Sequence, residues 1–213
     1  MKKIDSFINS LIQEKNTQEY TNQYSTETEN NHITTNNLKL YLEHIYKQKP
    51  EYLFVGEAPG YKGCRITGIP FTSEYILTHN FNNAIFGKEN GYQIINNDKP
   101  NKEPTATIIW DTFIEKNIIP CFWNSFPFHP FNYGDFNSNR KPNKNELEIG
   151  KKYLEDLIKI LKIKKENIIA IGDTSYSVIL EFFSKCKKIR HPSFGGKLEF
   201  ILGLENIYKI NYI

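Results

Sequence analysis

YLFVGEAPGYKGCRITGIPF, residues 52–71, runs a short apolar segment straight into a loop holding four glycines and two prolines. Tyr52–Val55 has the length and make-up of a buried strand. Behind it Pro59 and Pro70 fix the backbone, while Gly56, Gly60, Gly63 and Gly68 permit close approach or positive φ. So stiff a loop can aim its N–H groups and leave room for a flat ligand. No G-K-S/T follows it and the G-x-G-x-x-G fingerprint is missing, which excludes the common phosphate-binding loops.

Downstream, residues 105–116 read as a helix leading to a second apolar strand in NIIPCFWN, 117–124. SFPFHPFNYGDFNSNRKPNKN, 125–145, is a long loop, and loops of that length in compact domains tend to be functional. An amphipathic helix spans 146–163, with Leu147, Tyr153, Leu154, Leu157, Ile158 and Leu161 inward. NIIAIG (167–172) is a third strand, 174–184 a helix, KKIR (187–190) a short fourth strand and 197–208 a last helix. Upstream, residues 2–15 have helical spacing, with Ile4, Phe7, Ile8, Leu11 and Ile12 on one face. Residues 16–36 are polar and without period, which predicts a loop or tether. Leu38, Leu42, Ile45 and Tyr46 restore a helical stripe that Pro50 closes.

Strands separated by helices predict an α/β fold with a parallel sheet covered on both faces. Ligands of such sheets bind beyond the carboxyl ends of the strands. Three segments fall there: GEAPG (56–60), WNSFPFHP (123–130) and HPSFGG (191–196). Three loops at one edge make a pocket.

The chain of 213 residues has the size of a single domain, and its formal charge of +3 permits an anionic partner without demanding one. Its three cysteines, Cys64, Cys121 and Cys186, form no C-x-x-C pair, so neither zinc nor a disulfide framework is expected. Charges interrupt the apolar residues of MKKIDSFINSLIQEK, and no segment has the length of a membrane span. A cytosolic monomer without cofactor or metal is the expectation.

Within the predicted pocket, Phe71 follows Pro70, where a stiff turn can present its ring; it also suits the core. Asn124 closes the second strand. Its amide offers a donor beside an acceptor, the pattern needed to grip the O4 and N3–H edge of uracil, although it equally suits a turn cap. His191 can donate to charge developing on a leaving group, or simply occupy a turn before Pro192. Ser193 fits a phosphate contact or a helix cap. Lys185, Lys187, Lys188 and Arg190 lie beside that loop and suit a nucleic-acid backbone or a solvated edge.

Gly56-Glu57-Ala58-Pro59-Gly60, then Gly63, Thr67-Gly68-Ile69-Pro70-Phe71, Asn124 and His191-Pro192-Ser193 together resemble the uracil-DNA glycosylase superfamily. GEAPG is similar to the first motif of its family 4 enzymes. The wider frame is similar to single-strand-selective monofunctional uracil glycosylase. The resemblance implies a three-layer α/β/α sandwich around a four-stranded parallel sheet, and hydrolysis of the N-glycosidic bond of uracil in single- or double-stranded DNA after base flipping. It implies that Phe71 stacks on the base, Asn124 reads its edge and His191 stabilises the uracil anion. Gly56, Ala58, Pro59 and Gly60 would line the base pocket. Gly63, Ser193, Gly195, Lys188 and Arg190 would meet the DNA, with Phe194 as a wedge.

Three positions depart from the family pattern. Ala58 stands where a water-activating aspartate or asparagine is found elsewhere, which makes adjacent Glu57 the candidate general base. Family 4 enzymes carry four cysteines on an iron–sulfur cluster, and this chain has three, unpaired. Gly60 replaces a tyrosine that excludes thymine, so substituted pyrimidines such as thymine opposite guanine or 5-hydroxymethyluracil are alternative substrates, unless a side chain such as Tyr61 intrudes. Ala58 also leaves open a module that binds uracil-DNA without cutting it.

Overall fold

The structure is a computed structural model, and it describes residues 2–78 and 85–209. Helix α1 (Lys2–Gln13) buries Ile4, Phe7, Ile8 and Leu11, the stripe its spacing predicts. The segment predicted as a loop over 16–36 differs from that expectation. Strand β1 (Tyr20–Thr21) lies within it, and α2 (Asn31–Gln48) begins in it. The first half of α2 carries no apolar period because it buries Thr34 and Asn37 instead. Thr34 Oγ1 donates to Gln23 O at 2.6 Å, and Asn37 Nδ2 to Thr67 O at 3.0 Å and Gln93 O at 2.9 Å. Satisfied polar groups hold the start of this helix, where a loop was expected.

The remaining elements follow in the order β2 (Leu53–Gly56), α3 (Cys64–Thr67), α4 (Glu74–Thr78), α5 (Pro104–Glu115), β3 (Phe122–Asn124), β4 (His129–Pro130), α6 (Lys144–Leu161), β5 (Ile168–Ile171), α7 (Asp173–Phe183), β6 (Lys187–Ile189) and α8 (Lys197–Tyr208). Strand β3 is shorter than the apolar run before it, since only its last three residues pair. Four strands make one parallel sheet in the order β3-β2-β5-β6, while β1 and β4 form a separate antiparallel ribbon.

The register aligns Phe54 with both Phe122 and Ile169. Phe54 meets Phe113 of α5 at 5.1 Å between ring centroids and Tyr208 of α8 at 6.3 Å. Trp123, one residue past Phe122, faces the other way, where Phe7 of α1 stands at 5.4 Å and itself packs on Tyr153 of α6. Helices therefore cover both faces of a sheet whose central strands β2 and β5 are wholly buried. This is the three-layer α/β/α arrangement. Among the described residues no helix is long and apolar enough to cross a membrane.

Candidate active site

All four parallel strands end at one edge, at Gly56, Asn124, Ile171 and Ile189, and a cleft of about 750 Å³ opens over them. Its floor is made by Gly56. A side chain there would overlap the Phe71 ring and come within 2.8 Å of Asn124 Oδ1. The missing Cβ is what lets the aromatic face and the amide meet.

Phe71 reaches that position through an uncommon backbone, φ 53, in the left-handed region that bulky residues avoid. The indole N–H of Trp110 holds it there, donating to Phe71 O at 3.1 Å and Thr72 Oγ1 at 3.2 Å. One side of the ring packs on Phe122 at 5.2 Å, so Phe71 serves the core and lines the cleft at once. Asn124, 3% exposed, is set beside Gly56 by the β2–β3 register. Its Nδ2 lies 3.9 Å from Cys64 Sγ.

His191 lines the opposite side of the cleft, just beyond β6. The Ser193 N–H donates to its Nδ1 at 3.3 Å, and Ser193 Oγ stands 2.7 Å from the same atom. A backbone N–H can only donate, so Nδ1 accepts and the proton of the neutral ring sits on Nε2. Burial lowers the His191 pKa; Glu103 works against this and Arg190 adds to it. The imidazole is thus a neutral donor. Ser193 does not cap α8, whose N-cap Gly196 has no side-chain bond.

Glu57 and Ala58 also line the cleft. Glu57 Oε1 is buried without a hydrogen-bond partner among the described residues. Burial raises its pKa, with Lys141 and Thr174 pulling the other way. At Gly60 an added Cβ would meet only Asn139 Oδ1, at 3.9 Å, so this corner is open. Tyr61 lines the cleft, its N–H donating to the same oxygen at 3.1 Å.

Pro59, Gly63, Arg190 and Phe194 line the cleft as well, whereas Gly195 and Lys188 do not. Lys188 is ion-paired with Asp173 at 2.7 Å. Phe194, at φ 51 and 98% exposed, is thrust into solvent beside Gly195 at φ 79. The sequence reading missed Thr174, Glu103 and Asn139 among the lining residues. Thr174 was findable, because it follows β5 at the same sheet edge. Asn139 was not, since only the fold returns the long loop to the cleft.

The sequence matches the family model of the Uracil DNA glycosylase superfamily over residues 43–207. The chain belongs to the uracil DNA glycosylase superfamily. Among solved structures, that of wild-type Pedobacter heparinus SMUG2 is similar, with a TM-score of 0.63 over 97% of each chain and 18% identity. At that identity the likeness is one of fold. No curated protein matches the chain. The superfamily match takes in β2 through β6, and with them all four strand ends of the cleft. Cys64, Cys121 and Cys186 are free, and no group of three metal-binding side chains gathers among the described residues.

Proposed function

We propose that this protein is a monofunctional DNA glycosylase that hydrolyses the N-glycosidic bond of uracil in DNA, with the target base flipped into the cleft. The observation that carries this reading is the meeting of the Phe71 ring and the Asn124 amide at Gly56, in the same cleft as the neutral His191. Phe71 stacks on the extruded base and Asn124 grips its O4 and N3–H edge. As the bond from N1 to the sugar breaks, its electron pair moves onto uracil, and His191 Nε2–H donates to the developing anion. Water adds to the sugar carbon, giving up its proton to Glu57, the base that Ala58 cannot be. The products are free uracil and an abasic site. Phe194 fills the gap left in the stack.

Uracil-containing oligonucleotides, treated with alkali after incubation, test this. Asn124→Ala and His191→Ala are each expected to slow cleavage by about a hundred- to a thousandfold. Full cleavage by both variants would end the proposal. A wider substrate range is favoured by the open corner at Gly60, which has room for a group on the base's C5. Comparing U·G, T·G and 5-hydroxymethyluracil substrates decides between the two.

A further inference from the structure

One loop at the cleft carries none of the groups assigned above to the base's ring face, its O4 and N3–H edge or its developing charge. Residues 131–140 leave β4 and come back with Asn139 and Arg140 on the cleft wall. The loop is tightly built. Asp135 N–H donates to Asn132 O at 2.9 Å, Asn132 N–H to Ser138 Oγ at 2.8 Å, and Asn137 N–H to Asp135 Oδ1 at 3.0 Å. Arg65 of α3 grips it from below, donating to Phe136 O at 3.1 Å and Asn137 Oδ1 at 3.0 Å. Yet this firm scaffold displays Tyr133 at 84% exposure, and Phe136 at 58% with only part of its ring covered by Phe131, 4.6 Å away between centroids. Large rings left in water on an ordered loop forgo the gain of burial, which marks a surface meant to be covered.

What covers it follows from the surroundings. The loop is tied to the segment after β2 by Arg65 and by the Tyr61 N–H, which donates to Asn139 Oδ1, while Phe194 follows β6. Asn139 and Arg140 of that loop line the cleft together with Phe194, so exposed rings are carried by two separate segments of its rim. With them Lys62, Lys141 and Arg190 line the cleft and make no ion pair among the described residues. Lys141 acts on Glu57, and two other carboxylates of the cleft are engaged. Glu103 caps α5 and Asp173 holds Lys188. These cations, with exposed rings on both segments, suit an unpaired strand, whose phosphates need charge and whose bare bases need faces to stack on. A duplex keeps its base faces inside.

We propose that Tyr133 and Phe136 form a stacking platform for the unpaired bases beside the extruded nucleotide, so that the protein engages single-stranded DNA. This rests on the reading that the cleft takes a DNA nucleotide.

Fluorescence anisotropy with a uracil-free single strand and with the matching duplex tests the platform apart from catalysis. Tyr133→Ser and Phe136→Ser are each expected to weaken single-strand binding by about tenfold and to leave duplex binding unchanged. Tyr133→Trp should bind like the wild type. Phe136→Ser keeps the backbone carbonyl that Arg65 holds, so the loop stays anchored. Unchanged single-strand affinity in both serine variants would overturn the proposal. So would an equal loss for strand and duplex, or a Tyr133→Trp variant as weak as Tyr133→Ser. A wild type that binds in this ring-dependent way but releases no uracil sinks the glycosylase reading and supports the platform. One that releases uracil while both serine variants bind normally sinks the platform alone.

Discussion

Glu57 puts a carboxyl into the cleft with one oxygen unpartnered and burial holding its pKa above the ordinary carboxylate range. A base works only when ionised, so cleavage is expected to rise with pH through that raised pKa. Glu57→Gln should abolish this acid limb in kcat/KM and lower the plateau by about a hundred- to ten-thousandfold. His191 has its pKa lowered and stays neutral to lower pH than a free histidine; an acid limb that survives in Glu57→Gln would belong to it. That Phe71, Asn124 and His191 converge on one cleft is legible in the sequence because the order of motifs around them is intact. What sets the histidine's tautomer is not. Ser193 reads equally as a cap or a phosphate contact until the fold lays its N–H against Nδ1.

Among the elements, α4 is the least conspicuous in sequence and the most polar in its support. Its first residue, Glu74, is fully buried and accepts from Ile95 N at 2.8 Å, Asn96 N at 2.9 Å and Asn101 N at 3.0 Å, and from both asparagine amides. Burial alone would raise its pKa, but these donors win and the pKa is lowered. A carboxyl with a depressed folded pKa contributes stability above its unfolded pKa and loses it as pH falls through the folded one. Glu74→Gln should therefore lower the unfolding free energy at neutral pH by about 3 kcal/mol, with the deficit vanishing in acid, as urea titrations at two pH values would record. The strands and the long helices are legible because burial of both sheet faces imposes continuous apolar runs and that of α1 and α6 a helical period. The start of α2 and the β1–β4 ribbon are not. They are held by side-chain hydrogen bonds and by pairing between residues far apart in sequence, neither of which leaves a period.

Across the whole molecule, the segment between α1 and α2 braces the site from outside it. Tyr24, buried, donates to Gly68 O at 2.7 Å, and Gln23 Nε2 to Pro127 O at 2.8 Å. Those carbonyls belong to the loops that carry Phe71 and follow Asn124. Tyr24→Phe leaves the Gly68 carbonyl without its donor and is expected to reduce stability by about 1–2 kcal/mol in urea unfolding. It should also raise KM more than it lowers kcat, since it loosens the ring proposed to stack rather than the groups proposed to react. Composition predicts a tether for residues 16–36, because nothing in a polar run reveals which of its members find partners on folding. The brace makes the chain's beginning answerable for the aperture at the carboxyl edge of the sheet. A single protease nick between the first two helices would then blunt the catalyst with every residue of the cleft uncut.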